Sequence, residues 1–110
     1  MSEAMAAGVP AIVSPHVGAG HDLVRQGFNG CVAADRTSWT AALKHYCDPA
    51  AVEKEGKRAR MVGEELSSAR AAAWLLEVIG EPDGPARNFV AEGWARVDGR
   101  CNIKPAAGGA

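Results

Sequence analysis

Apolar residues come first as short clusters and later as helical stripes. Residues 2–7, SEAMAA, are strong helix formers, and Gly8 supplies the left-handed stop that helix ends favour. Pro10 then opens the apolar run Ala11-Ile12-Val13. Its lack of alternation predicts a strand covered on both faces, as in a parallel sheet. Residues 14–20 read as a loop and residues 21–26 as a short helix. Gly27-Phe28-Asn29-Gly30 reads as a tight turn, with Asn-Gly meeting its need for positive φ. Residues 30–34, GCVAA, predict a second short strand.

Beyond residue 36 the period changes to that of helices. Ser38 or Thr37 is placed to cap a helix whose apolar stripe is Trp39, Ala42, Leu43 and Tyr46. Asp48-Pro49 is a cap followed by a first-turn proline, which starts another helix. That helix is expected to reach about Leu66, with Val52, Ala59, Val62 and Leu66 inward and Gly56 as a weak point. Ser67-Ser68 punctuates, and a third helix over residues 69–79 carries Trp74, Leu75, Val78 and Ile79. Residues 81–85, EPDGP, form a linker. Phe89, Val90, Trp94 and Val97 fit a short docking helix over about 86–97, although alternation at 90–96 leaves a strand open. The tail KPAAGGA is expected to be disordered.

Helix, strand, helix, strand and then helices define an α/β layered class, helix-rich, with two short parallel strands. A doubly wound sheet needs more strands than two, and a two-stranded sheet leaves unpaired edges. The pattern fits part of a larger fold, and no internal repeat is present. We divide it into a partial domain, residues 1–79, and a linker with tail, residues 80–110.

Composition narrows the function classes. Aromatics are 5% of the 110 residues, so the core must come mostly from Val, Leu, Ile, Ala and the three Trp. Twelve basic and 13 acidic residues give a net charge of −1, with no field to recruit nucleic acid or an acidic membrane. The one basic run, Lys54, Lys57, Arg58 and Arg60, is interleaved with Glu53, Glu55, Glu64 and Glu65 and reads as a solvated helix face. Cys31, Cys47 and Cys101 are odd in number and widely spaced, which predicts reduced thiols, no zinc site and a cytoplasmic location. Cys31 and Cys47 read as core thiols. No apolar run approaches the roughly 20 residues of a membrane span, and no signal-peptide pattern is visible.

Candidate chemistry is sparse. The segment SPHVGAGH, residues 14–21, follows the carboxyl end of a strand, where open α/β sheets bind ligands. Gly18 and Gly20 allow close backbone approach there, or simply serve a connecting loop. His16, His21 and His45 lack a carboxylate or cysteine partner at metal-ligand spacing, so no metal is expected. Asp22 reads as a residue that caps or hydrogen-bonds the short helix, with a ligand contact as the lesser alternative, and Trp39 and Trp74 as packing residues. Glu3 reads by itself as an acid favoured near a helix N-terminus.

The run Glu3-Ala4-Met5-Ala6-Ala7-Gly8-Val9-Pro10-Ala11-Ile12 resembles the EAMA-x-G-x-P-V-I segment of retaining GT-B glycosyltransferases of the family 4 group. The order continues in register. Val17-Gly18-Ala19 matches the family's glycine loop, and Asp22-Leu23-Val24 its D/E-L/I-V triplet. Gly27-Phe28-Asn29-Gly30 matches its G-x-N-G turn. Residues 37–47, Gly56 with Ala59-Arg60, and residues 67–79 match its later helices, while residues 80–110 match nothing in it.

The resemblance implies the second half of a GT-B C-terminal domain, a partial Rossmann-like unit that binds a nucleotide-sugar donor. It implies that Glu3 hydrogen-bonds the donor ribose and that Gly18, Ala19 and Gly20 line the donor. The parent reaction would transfer a sugar to an acceptor hydroxyl with retention of configuration and without a metal or other cofactor. The family's companion glutamate, its basic diphosphate grip and its acceptor domain match no residues here. The chain alone is therefore expected to be inactive, with no catalytic residue of its own. The rival expectation, from another class, is a non-enzymatic module or truncated product that pairs with itself or a partner through an exposed sheet edge.

Overall fold

The computed structural model describes residues 2–101, so the expected disordered tail, residues 104–110, lies outside the described residues. The chain divides into two compact units, Met1–Gly63 and Glu64–Ala110, and the division falls within one helix. Among the described residues no helix is long and apolar enough to cross a membrane.

The first unit begins with helix α1, Ser2–Ala6, which ends where Gly8 takes φ +85°. The Val9 N–H bonds back to the Ala4 carbonyl at 2.9 Å and closes the turn into strand β1, Ala11–Val13. Helix α2, Gly18–Leu23, then leads to strand β2, Gly30–Val32. The strands pair in parallel, with Ala11 opposite Gly30, Ile12 opposite Cys31 and Val13 opposite Val32. The architecture is thus mixed α/β, helix-rich, with one two-stranded parallel sheet. Val13 is buried, while Ala11 and Ile12 are half-buried, so β1 is less covered than its apolar run predicts.

Helix α2 begins three residues before the expected position and stops at Leu23. Asn29 explains the stop. Its fully buried amide accepts from the Arg25 N–H and donates to the Leu23 carbonyl, both at 2.8 Å. Those two backbone groups would otherwise continue the helix. Positive φ in the turn falls at Gly27, +71°, rather than at Gly30. Gly30 is required for space instead, because a Cβ there would collide with the Ala11 carbonyl and come within 3.1 Å of Val24 Cγ1.

Helix α3, Arg36–His45, is capped by Asp35, not by Ser38 or Thr37. The Asp35 carboxylate accepts from the Ser38 N–H at 2.8 Å, and the Asp35 N–H donates back to Ser38 Oγ at 3.0 Å. This reciprocal capping box satisfies two groups that the helix leaves unpaired. The expected stripe is only partly inward: Ala42 is buried, whereas Leu43 and Trp39 are exposed. Helix α4, Pro49–Glu65, starts as expected, with the Asp48 carboxylate accepting from the Ala50 N–H at 3.0 Å. Ala59 and Val62 are fully buried, and Val52 is half-buried. Gly56 is a contact point rather than a weakness, since a Cβ there would strike the Gly8 carbonyl. Phe28 is buried beneath two guanidinium groups, Arg58 at 4.7 Å and Arg25 at 5.3 Å from the ring centroid.

The second unit holds the last residues of α4, helix α5, Ser68–Gly80, and helix α6, Phe89–Arg100. Residues 89–100 are therefore helical, not the strand that the alternation left open. Ser67 caps α5 by accepting from the Arg70 N–H at 3.2 Å, and Asn88 caps α6 by accepting from the Ala91 N–H at 3.0 Å. Val97 is fully buried, and Gly93 makes room for Leu66, whose Cδ2 would meet any Cβ at that position. Trp74 packs on Phe89 with ring centroids 5.7 Å apart. Leu75 and Ile79 are both exposed, because the face that meets α6 is the Trp74 face.

Candidate functional site

The predicted donor residues sit on two elements. Glu3 is exposed in the first turn of α1. Gly18, Ala19 and Gly20 are not in a loop but form the first turn of α2, and the Ala19 side chain lies outside the described set. The two glycines differ in kind. Gly18 is exposed with open space where a Cβ would go, which suits close approach of a ligand. Gly20 is buried, and a Cβ would sit 3.1 Å from Val13 Cγ2, so this glycine serves packing against β1.

The histidines of this segment are held locally. His21 Nε2 donates to the Pro15 carbonyl at 3.0 Å, and Ser14 Oγ accepts from the His16 N–H at 3.0 Å. Among the described residues no group of three ligating side chains could hold a metal ion. Asp22 is on the body of α2 and does not cap it, the N-cap position being held by Val17 without a side-chain bond. Cys31 is buried as expected, but Cys47 is exposed at the end of α3, its Sγ donating to the Leu43 carbonyl at 3.3 Å.

A second cluster is one that the linear pattern did not predict. The Glu55 side chain is 5% exposed, and both its oxygens are engaged. Oε1 accepts from the Tyr46 hydroxyl at 2.7 Å, and Oε2 is bonded to His45 Nε2. The bond to Glu55 fixes the orientation of the half-exposed His45 ring. The Tyr46 hydroxyl also lies 3.5 Å from Cys31 Sγ. Burial, then the bonds to Cys31 and Glu55, push the Tyr46 hydroxyl far above the ordinary tyrosine range. Two clefts, of about 290 and 330 Å³, share Gly27 and His45 in their linings. The cluster fixes the end of α3 against α4 and places His45 in the lining of both clefts. A signal for it exists in the sequence: Glu55 stands three residues after Val52 and four before Ala59, a carboxylate inside an apolar stripe.

The second unit has charge clusters of its own. The Glu65 side chain, 5% exposed, meets Arg96 Nε at 2.6 Å, Arg100 at 3.4 Å and Arg70 at 3.5 Å. Burial pushes its carboxyl up, but the Arg96 hydrogen bond and the three guanidinium charges outweigh that and hold it below the usual range. Arg87 bridges Glu92 at 2.6 Å and Glu77 at 3.2 Å, and Trp74 Nε1 donates to Glu92 at 3.1 Å. These acids and bases neutralise one another and tie the end of α4, α5 and α6 together.

No family model matches the chain, and neither do any of the curated proteins or solved structures compared with it.

Proposed function

We propose that residues 2–79 are the second half of the Rossmann-like donor domain of a retaining GT-B glycosyltransferase. One observation carries the reading: the parallel β1–α2–β2 unit has the EAMA-type helix immediately before it and the glycine segment immediately after β1. A helix that hands over to a strand through a short turn runs back along it. The amino end of α1 and the carboxyl end of β1 then share the edge where open α/β sheets bind ligands. In this reading Glu3 accepts hydrogen bonds from adjacent ribose hydroxyls of a nucleotide-sugar. The backbone at Gly18 comes close to the donor, helped by its missing side chain. The parent enzyme transfers the sugar to an acceptor hydroxyl with retention and without a metal, and the chain by itself holds only a weak donor site. Free cysteines suit a reducing cytoplasm. A second reading rests on the two-stranded sheet: the outer edge of β2 is taken by the Gln26 side chain on the Val32 N–H and by the Gly27 N–H on the Gly30 carbonyl, so the edge able to pair with another chain is that of β1.

Amide chemical-shift mapping of the isotope-labelled chain with UDP, GDP and ADP tests the donor reading. Millimolar nucleotide should move signals from residues 2–5 and 14–20, and Glu3→Ala should weaken the response. The reading fails if the shifts fall elsewhere, are absent at every nucleotide, or ignore Glu3→Ala.

A further inference from the structure

Helix α5 has a second apolar face besides the one that packs. Successive residues turn by about 100° around a helix axis, so Arg70, Ala71, Trp74, Glu77 and Val78 share one side. That side meets the rest of the unit: Trp74 packs on Phe89 and bonds Glu92, Glu77 pairs with Arg87, and Arg70 pairs with Glu65. Ala71, Trp74 and Val78 are the half-buried residues of this side, and the two charged residues of the helix, Arg70 and Glu77, flank them at 51% and 65% exposure. The opposite side carries Ala69, Ala72, Leu75, Leu76 and Ile79, with no charge at all. Leu75, Leu76 and Ile79 are 52%, 72% and 64% exposed, and no residue of α5 is buried. A stripe at this spacing is the pattern of a face that another element covers.

We propose that this stripe is a dimer interface, in which α5 packs antiparallel against α5 of a second copy of the chain. Three features select a second copy. The stripe is uncharged, so bringing two together desolvates no ion and opposes no like charges. It is also self-complementary about a two-fold axis between Leu75 and Leu76. That axis sets each Leu75 opposite the other copy's Leu76 and each small Ala72 opposite the other copy's Ile79. Finally, the ends complement each other. The amino end of the 13-residue helix, positive by its dipole, carries Ser68 on the open face. The same axis brings it beside the exposed acids Glu81 and Asp83 of the second copy. A parallel pair would instead place acids beside acids. One helix face makes an interface of the small class, below about 1,200 Å² in total, so association is expected at about 10 µM to 1 mM chain. This inference does not depend on the donor-site reading.

Sedimentation velocity of the full chain from about 10 µM to 1 mM is the test, at concentrations that small interfaces require. A monomer–dimer equilibrium is expected, weakened at least tenfold by Leu76→Glu while the circular dichroism stays unchanged. Orientation is read by disulfide trapping in a Cys47→Ser, Cys101→Ser background. Chains carrying Ala72→Cys should cross-link to chains carrying Ile79→Cys faster than either links to its own kind. A chain that stays monomeric at the highest concentration overturns the proposal and leaves the face to a different protein. A dimer that ignores Leu76→Glu overturns it in favour of the sheet edge. Preferential linkage of the Ala72→Cys chains to one another overturns the antiparallel arrangement.

Discussion

Gly56, in the middle of α4, lies directly against the carbonyl oxygen of Gly8, the left-handed residue that follows α1. The helix can approach that turn only because neither residue carries a side chain. A Cβ at position 56 would fall well under 3.0 Å from the Gly8 oxygen, and the atom it would strike is backbone, which cannot rotate away. Gly56→Ala should therefore destabilise the chain by about 2–4 kcal/mol, although alanine is the better helix former. Gly99, on α6, is the internal control. A Cβ there meets nothing within 4 Å, so Gly99→Ala should stabilise by about 0.5–1 kcal/mol. Urea titration of both variants checks the pair, and equal effects of the two alanines would refute the contact.

Tyr46 is the only tyrosine in the chain, which makes its titration directly readable. Its hydroxyl is partly buried, touches Cys31 and donates to Glu55, and each of these disfavours the phenolate. The folded pKa is raised, so the linked stability is fully present below the unfolded value, near 10, and is lost as the pH climbs above it. Absorbance at the tyrosinate band should stay flat in the native chain at pH values where the urea-unfolded chain has already ionised. Alkaline unfolding should then release the signal cooperatively. A native midpoint near the ordinary tyrosine value would show that the hydroxyl is solvated.

The thiols should separate by burial. Cys47 is exposed and Cys31 is buried beside Tyr46, so a thiol reagent should modify Cys47 quickly and Cys31 only as fast as the first unit opens. In a Cys101→Ser background, Cys47→Ser should remove the fast phase and leave a slow one, followed by mass spectrometry of the modified chain. Rapid modification of Cys31 in that variant would mean that the sheet edge is open to solvent.

The order of elements was legible because it rests on local rules. Pro10 before an apolar run, Asp48-Pro49 and Ser67 each announce a boundary through backbone chemistry that needs no tertiary partner. What each face meets was less legible. Leu43, Leu75 and Ile79 have inward spacing, but spacing fixes only which residues share a side, and the packed side of α5 is chosen by Trp74, Glu77 and Arg70. Asn29 looked like a turn former by type, whereas its amide ends α2 through two backbone groups. Glu55 and Glu65 were assigned to a solvated charge run, because that run was read linearly. On the helix they stand in register with Val52, Ala59 and Val62, and the partners that bond them come from His45, Tyr46 and Arg96, distant in sequence. Of the predicted site, Glu3 and Gly18 keep the exposure a ligand contact needs, and Gly20 is taken by packing.

Glu65 should control part of the acid sensitivity. Its carboxyl is buried but held below the usual range by Arg96, Arg70 and Arg100. In the unfolded chain the same group binds a proton near its ordinary value of 4.5, so acid favours unfolding. The stability linked to this depressed pKa is present above about 4.5 and is lost as the pH falls toward the folded value. The three guanidinium groups are themselves 39–51% exposed, so solvent screens the gain. With that discount, Glu65→Gln should cost about 1–3 kcal/mol at neutral pH. The gap between parent and variant should narrow steadily below pH 4.5. Urea midpoints measured in parallel at neutral pH and in acid decide it. A gap that stays constant across that range would mean that Glu65 acts by shape, with its charge irrelevant to the packing of the end of α4 against α6.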